Sequence, residues 1–201
     1  SAGVAAAVAA SAKGLKVCLV ERNAYAGGKA TAANVGTICG LYLRNTKGQT
    51  AFACNGWVKD FALQLAQLSQ SQVNRNAEGL AYLPYHTFAF KTLCDELLHE
   101  AHVNVFYHST VTACEHKASR IQQLDVLAFD TQIRFEPKVV IDCSGEAIVS
   151  HLAGLEVDES EDYQAAAQVF TVHDVQVMNE STLSLAMLRA LKKGIENGSL
   201  G

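Results

Sequence analysis

Gly3, Glu21 and the pair Gly27-Gly28 are the residues whose types and spacing could do chemistry. A glycine at the start of a helix lets backbone N–H groups approach a phosphate, which the positive end of the helix dipole attracts. An acidic residue closing the next strand accepts hydrogen bonds from ribose hydroxyls. Ser1-Ala2-Gly3 fits the last third of the fingerprint G-x-G-x-x-G. With two earlier glycines counted, Glu21 follows at the spacing of roughly 20 residues that the fingerprint requires. The chemistry this implies is dinucleotide binding. The stretch therefore reads as a fragment that has lost its first strand and the first two fingerprint glycines.

Elements of the right kind are expected around these residues. Val4 to Ala12 reads as a helix rich in alanine, whose methyl side chains let it press close to a strand. Gly14 stops it, and Lys16 to Val20 reads as a short apolar strand ending in Glu21-Arg22. A secretory signal core is a competing reading of the alanine run. No basic segment precedes the run, however, and a strand rather than a mature N-terminus follows it. Lys29 to Gly40 is small, punctuated by glycine and poor in charge, which suits backbone lying against a planar ligand or an ordinary glycine-rich loop. Asn45 to Gln49 reads as a turn.

Trp57, Val58, Phe61, Ala62, Leu65 and Leu68 recur at helical spacing, with Asn55 as the expected N-cap. Tyr82 to Tyr85 reads as extended. Phe90, Leu93, Cys94, Leu97, Leu98 and Ala101 form a second helical stripe, and Val103 to Tyr107 a strand after it. From Thr110 the period changes to that of an antiparallel meander, in Val111 to Cys114, Ile121 to Phe129 and Thr131 to Phe135. A buried strand, Val139-Val140-Ile141, is expected next, running through Asp142-Cys143-Ser144-Gly145 into a short helix from Ala147 to Ala153. Beyond Gly154 come an acidic run, a strand over Ala165 to Val172 and an amphipathic helix over Leu183 to Ile195. The expected division is a dinucleotide-binding domain over 1–155 and the beginning of a second, substrate domain over 156–201.

A length of 201 residues can bury a substantial core, and a formal charge of -4 gives no basic footprint for nucleic acid. No apolar run reaches the roughly 18 residues of a membrane span. The six cysteines include no C-x-x-C, which argues against a zinc site or disulfide framework and makes a cytoplasmic setting the default. Several of them sit in apolar patterns where a thiol packs as a small hydrophobe. Cys39 lacks a neighbouring redox partner in sequence, so packing is its expected role. His99 and His102 invite a metal reading, but solvated histidines that favour the dipole at a helix C-terminus fit better, and no metal is expected.

Together these pieces resemble the FAD-dependent oxidoreductases of the glutathione-reductase-like flavoprotein superfamily, the branch related to the succinate dehydrogenase and fumarate reductase flavoproteins. The likeness rests on Ser1-Ala2-Gly3, Val20-Glu21-Arg22, Gly27-Gly28-Lys29-Ala30-Thr31, the strand around Val111, and Val140-Ile141-Asp142-Cys143-Ser144-Gly145. It implies a Rossmann-like α/β fold with an inserted meander, and FAD as cofactor. It implies that Ala2 and Gly3 meet the pyrophosphate through backbone, Glu21 binds the ribose and Arg22 borders the adenine. Gly28, Lys29 and Thr31 would line the flavin end, Val111 would hold the adenine edge by its backbone, and Ser144-Gly145 would turn against the cofactor. The expected activity, in the full-length form, is flavin-mediated transfer of a hydride or electron pair on a small organic substrate, with FAD bound poorly or not at all and no activity expected of this stretch alone. No catalytic residue is identifiable. A thiazole-synthase-like non-redox use of the fold and a cofactor-free structural module stay open as alternatives.

Overall fold

The computed structural model describes residues 1–44, 50–76, 78–118, 120–158, 167, 169 and 179–199. The turn expected over 45–49 and most of the strand expected over 165–172 lie outside the described residues. The chain forms two compact units, Ser1–Val169 and Phe170–Gly201.

In the first unit, α1 (Ala2–Ser11) runs directly into a glycine stop, with Gly14 at φ 75°. Its buried face is Val4 and Ala7, and the small side chains around them allow a close approach to β1 (Cys18–Val20). The measure of that approach is Gly3, where an added Cβ would meet Leu19 Cδ1 at 3.3 Å. The glycine-punctuated segment from Lys29, for which no regular element was expected, folds into α2 (Lys29–Ala32) and β2 (Thr37–Cys39). Local pattern missed them because four- and three-residue elements carry too few periods to register.

The helical stripe from Trp57 forms α3 (Trp57–Leu68), which buries Ala62 and Leu65 but leaves Val58 and Leu68 exposed. Its N-cap is Gly56, at φ 76°, rather than Asn55, and no side chain caps it. Next come β3 (Asn74–Arg75) and β4 (Ala81–Pro84), followed by α4 (Thr87–Glu100), the helix that centres the core. Ala89, Phe90, Leu93, Cys94 and Leu98 of α4 are all buried, and they pack with Val4, Ala7, Leu65 and Tyr85 in the main apolar cluster. A smaller cluster joins Leu41, Tyr42, Ala62, Ala81 and Leu83.

After α4 the chain enters β5 (Asn104–Phe106), which pairs in parallel with β1, Leu19 opposite Val105. A three-stranded antiparallel sheet orders β2, β4 and β3. The meander is β6 (Ser109–Lys117), β7 (Arg120–Ala128) and β8 (Thr131–Phe135), with a register shift in β6 between Val111 and Ala113. This is the α/β architecture with an inserted antiparallel meander that the sequence implied.

One expected strand does not form. Val139-Val140-Ile141 has no ladder partner among the described residues, and Val139 is 79% and Ile141 61% exposed. An apolar β-branched run is a strand only where another strand supplies its hydrogen bonds. The chain resumes regular structure at α5 (Ile148–Leu152). The second unit contains α6 (Glu180–Glu196), whose N-cap Asn179 accepts a hydrogen bond from Thr182 N at 2.8 Å. Buried cysteines are fewer than the sequence suggested: Cys94 is buried and Cys114 half-buried, while Cys18, Cys39, Cys54 and Cys143 are exposed.

Candidate functional site

The residues singled out by sequence gather around the carboxyl end of β1. Glu21 extends that strand: its N–H donates to Phe106 O at 2.9 Å, and its carbonyl accepts from Ser109 N at 3.0 Å. The start of β6, and with it Val111 two residues on, is thereby tied to Glu21. The Glu21 carboxylate is held by its neighbour, Oε1 accepting from the Asn23 backbone and side-chain nitrogens, both at 2.9 Å. Those bonds fix the carboxylate's direction through Oε1.

Gly3 lies against Leu19 of β1, two residues before Glu21. Its added Cβ would also stand 3.6 Å from Cys143 Cβ, which brings the Asp142–Gly145 turn beside the first turn of α1. Arg22 pairs across to the same turn, Nη1 lying 3.6 Å from Glu146 Oε2, with both side chains largely exposed. Such an exposed pair is worth at most about 1 kcal/mol and serves mainly to mark the proximity. No acidic residue occupies the first turn of α1, and Ser1 makes no side-chain cap. The first backbone N–H groups of a helix have no partner inside it, and here no capping side chain takes one.

The Gly27-Gly28 turn closes the site from another side. Gly27 has φ 115° and Gly28 φ 63°, conformations that a side chain would strain. A Cβ on Gly28 would stand 3.4 Å from Ser1 N, so the turn abuts the start of α1. Thr31 is fully buried, and its hydroxyl shares one proton between Ala26 O at 2.9 Å and Gly28 O at 3.0 Å. Lys29, Arg22, Ser144 and Gly145 are exposed.

Ser144-Gly145 belongs to a compact capping loop. Asp142 accepts backbone bonds from Ser144, Val149 and Ser150 at 2.9, 2.9 and 3.2 Å. Desolvation pushes the Asp142 carboxyl up, but the bonds from Ser144, Ser150 and Val149 outweigh it and hold the group below its ordinary value. Sequence reasoning passed over Asp142, although an aspartate a few residues before a helix is a recognisable capping signal.

A cavity of about 390 Å³ lies next to the start of α1, and sequence reasoning did not foresee it. Its walls come from α1, α2, β2, α3 and α4, and include Ala30, Ile38, Trp57, Phe61, Tyr85 and Phe90. Cys39 stands on its lining as an exposed thiol rather than packed in the core. Cys94, remote in sequence, lines the same cavity, with burial pushing its thiol up to about 12. A thiol so raised stays protonated and is a poor redox partner. His99 and His102 are exposed, and no group of three or more His, Cys, Asp or Glu among the described residues could hold a metal. No helix among the described residues is long and apolar enough to cross a membrane.

Residues 1–196 match the family model described as FAD dependent oxidoreductase. Two solved structures, at TM-scores above 0.5, share the fold. A flavoprotein/dehydrogenase from Cytophaga hutchinsonii is 18% identical with a TM-score of 0.52, over 81% of this chain and 42% of that one. BexE is 14% identical with a TM-score of 0.54, over 77% of this chain and 32% of that one. THI4 of Thermovibrio ammonificans is 16% identical with a TM-score of 0.49, over 76% of this chain and 59% of that one. The chain thus spans from 32% to 59% of the length of these proteins. No curated protein matches it in sequence.

Proposed function

Since this chain belongs to the FAD dependent oxidoreductase family, we propose that it forms the FAD-binding part of an enzyme moving a hydride or electron pair between a small organic substrate and an acceptor. FAD, when bound, supplies that redox chemistry, and the protein supplies position and electrostatics. The observation carrying the assignment of the site is that the start of α1 at Gly3 stands beside β1, with the Gly27-Gly28 turn against Ser1 and the Asp142–Gly145 turn against Gly3.

Each residue has a task that its surroundings favour. Ala2 and Gly3 offer backbone N–H groups from an uncapped helix end to the pyrophosphate. Glu21, steadied through Oε1 by Asn23, accepts from the ribose hydroxyls. Arg22 borders the adenine, with Val111 contributing backbone to the same edge. Gly28 and Lys29 face the flavin end, while Thr31 serves by clamping the glycine turn from beneath. Ser144-Gly145 closes the other side, its loop stiffened by Asp142. Residues 156–201 are read as the beginning of a substrate domain. The setting is read as cytoplasmic.

Titration of this chain with FAD, followed by flavin fluorescence, tests the reading. The expected result is saturable binding that weakens by roughly 10-fold or more in Glu21→Ala, the scale of one charge-assisted hydrogen bond. Circular dichroism of the variant should match the parent. Equal flavin binding by Glu21→Ala and the parent overturns it.

A further inference from the structure

The 390 Å³ cavity beside the glycine turn has an unusual wall. None of its lining residues carries a charged side chain. Its aromatic rings form a chain of contacts: Trp57 stacks on Phe61 at 5.2 Å, Phe61 meets Phe90 edge-on at 5.1 Å, and Phe90 meets Tyr85 at 5.1 Å. The Tyr85 hydroxyl already donates to Ala30 O at 2.7 Å. That bond leaves the tyrosine presenting ring rather than hydroxyl. The volume lies in the range of small-molecule sites, and an apolar wall with few polar groups is what such sites use.

We propose that this cavity binds a neutral, ring-bearing small molecule, and that this is the substrate class presented to the flavin. The second clause rests on the proposed function, while the preference of the cavity itself does not. Rings pack offset or edge-on against the Trp57–Phe61–Phe90 series, each such pair contributing beyond its buried area. A charged ligand would lose its hydration against walls that return no partner. Ala30 connects the two sites, since it lines the cavity and is also the second residue of α2, which begins directly after the Gly27-Gly28 turn.

Trp57 is the chain's one tryptophan and lies on the cavity wall, so its fluorescence reports occupancy directly. The probes are 6-nitro-2-naphthamide, a neutral quencher, and its charged isostere 6-nitro-2-naphthoate. Titrations run without FAD. The amide should quench saturably and bind at least 10-fold more tightly than the carboxylate. Ala30→Phe, which fills the cavity, should weaken the amide at least 10-fold with the circular dichroism unchanged. Should that variant fail to fold, Val58→Phe at the rim decides by the same criterion. Saturating FAD should leave the amide's affinity unchanged. Equal binding of amide and carboxylate, indifference to the filling variant, or displacement of the amide by FAD would each overturn the proposal. Because no flavin is needed for the first titrations, failure of FAD binding and failure of this site are read separately.

Discussion

A Cβ on Gly27 would stand 2.5 Å from Thr31 Cγ2 and 2.7 Å from Thr31 Oγ1, so the threonine fills the space that only glycine leaves. The same threonine bonds the carbonyls on both sides of Gly27, which locks the turn from below. Gly27→Ala meets both a φ of 115° and this overlap, and is expected to cost about 2–4 kcal/mol. Gly40→Ala is the control: φ is 83° with nothing within 4 Å of the added Cβ, so its cost should stay near 1 kcal/mol. Urea denaturation of both variants checks this, and equal costs would remove Thr31 from the account.

The capping loop has a pH signature. Asp142 titrates below 3.8 when folded, so its stabilisation is complete above the unfolded-state value and is lost as pH falls through the lower folded one. Asp142→Asn should lower stability by about 0.5–1 kcal/mol at pH 7, after allowance for partial exposure. The gap between parent and variant should then narrow progressively as pH falls below 3.8. Urea midpoints from pH 7 to 2.5 measure it. A gap that widens with acid would contradict the assigned sign.

Thiol reactivity separates the two cysteines that line the cavity. Cys39 is exposed, whereas Cys94 is buried with its thiol raised to about 12. At pH 8 the thiolate fraction of Cys94 is on the order of 10⁻⁴, and burial adds a steric block. Iodoacetamide should therefore label Cys39 at least 100-fold faster, with Cys94 reacting only once denaturant is added. Peptide mass mapping over time decides it, and comparable rates in the native chain would place Cys94 at the surface.

Stability should follow the observed core rather than the apolar pattern. Leu93 is 1% exposed at the centre of α4, and Leu93→Ala should cost about 2–5 kcal/mol. Val139→Ser, at a position 79% exposed, should stay within about 0.5 kcal/mol of the parent. A large loss at Val139 in chemical denaturation would mean that the segment is packed as a strand after all.

Longer elements were legible because their signal repeats within one segment. The α4 stripe from Phe90 to Ala101 and the alternating runs of the meander each specify a buried face locally, and both form where expected. Asn55 was misjudged as a cap because the choice between neighbouring residues depends on φ, which Gly56 alone takes at 76° without cost. Val139 to Ile141 was misjudged for a different reason. Its composition is that of a strand, but pairing is a property of two segments, and no described segment pairs with it.

By itself the sequence determined the α/β class, the family, and the chain positions of Gly3, Glu21 and Gly27-Gly28, since these depend on local periodicity and on residue types with special backbone freedom. Tertiary structure alone decided that Thr31 turns inward as a clamp, that Asp142 and Cys143 stand beside the first turn of α1, and that Cys39 and Cys94 share a cavity walled by Trp57 and Phe90. Those relations join residues tens of positions apart. They arise only when the helices pack, because close packing rather than local preference chooses which distant side chains meet.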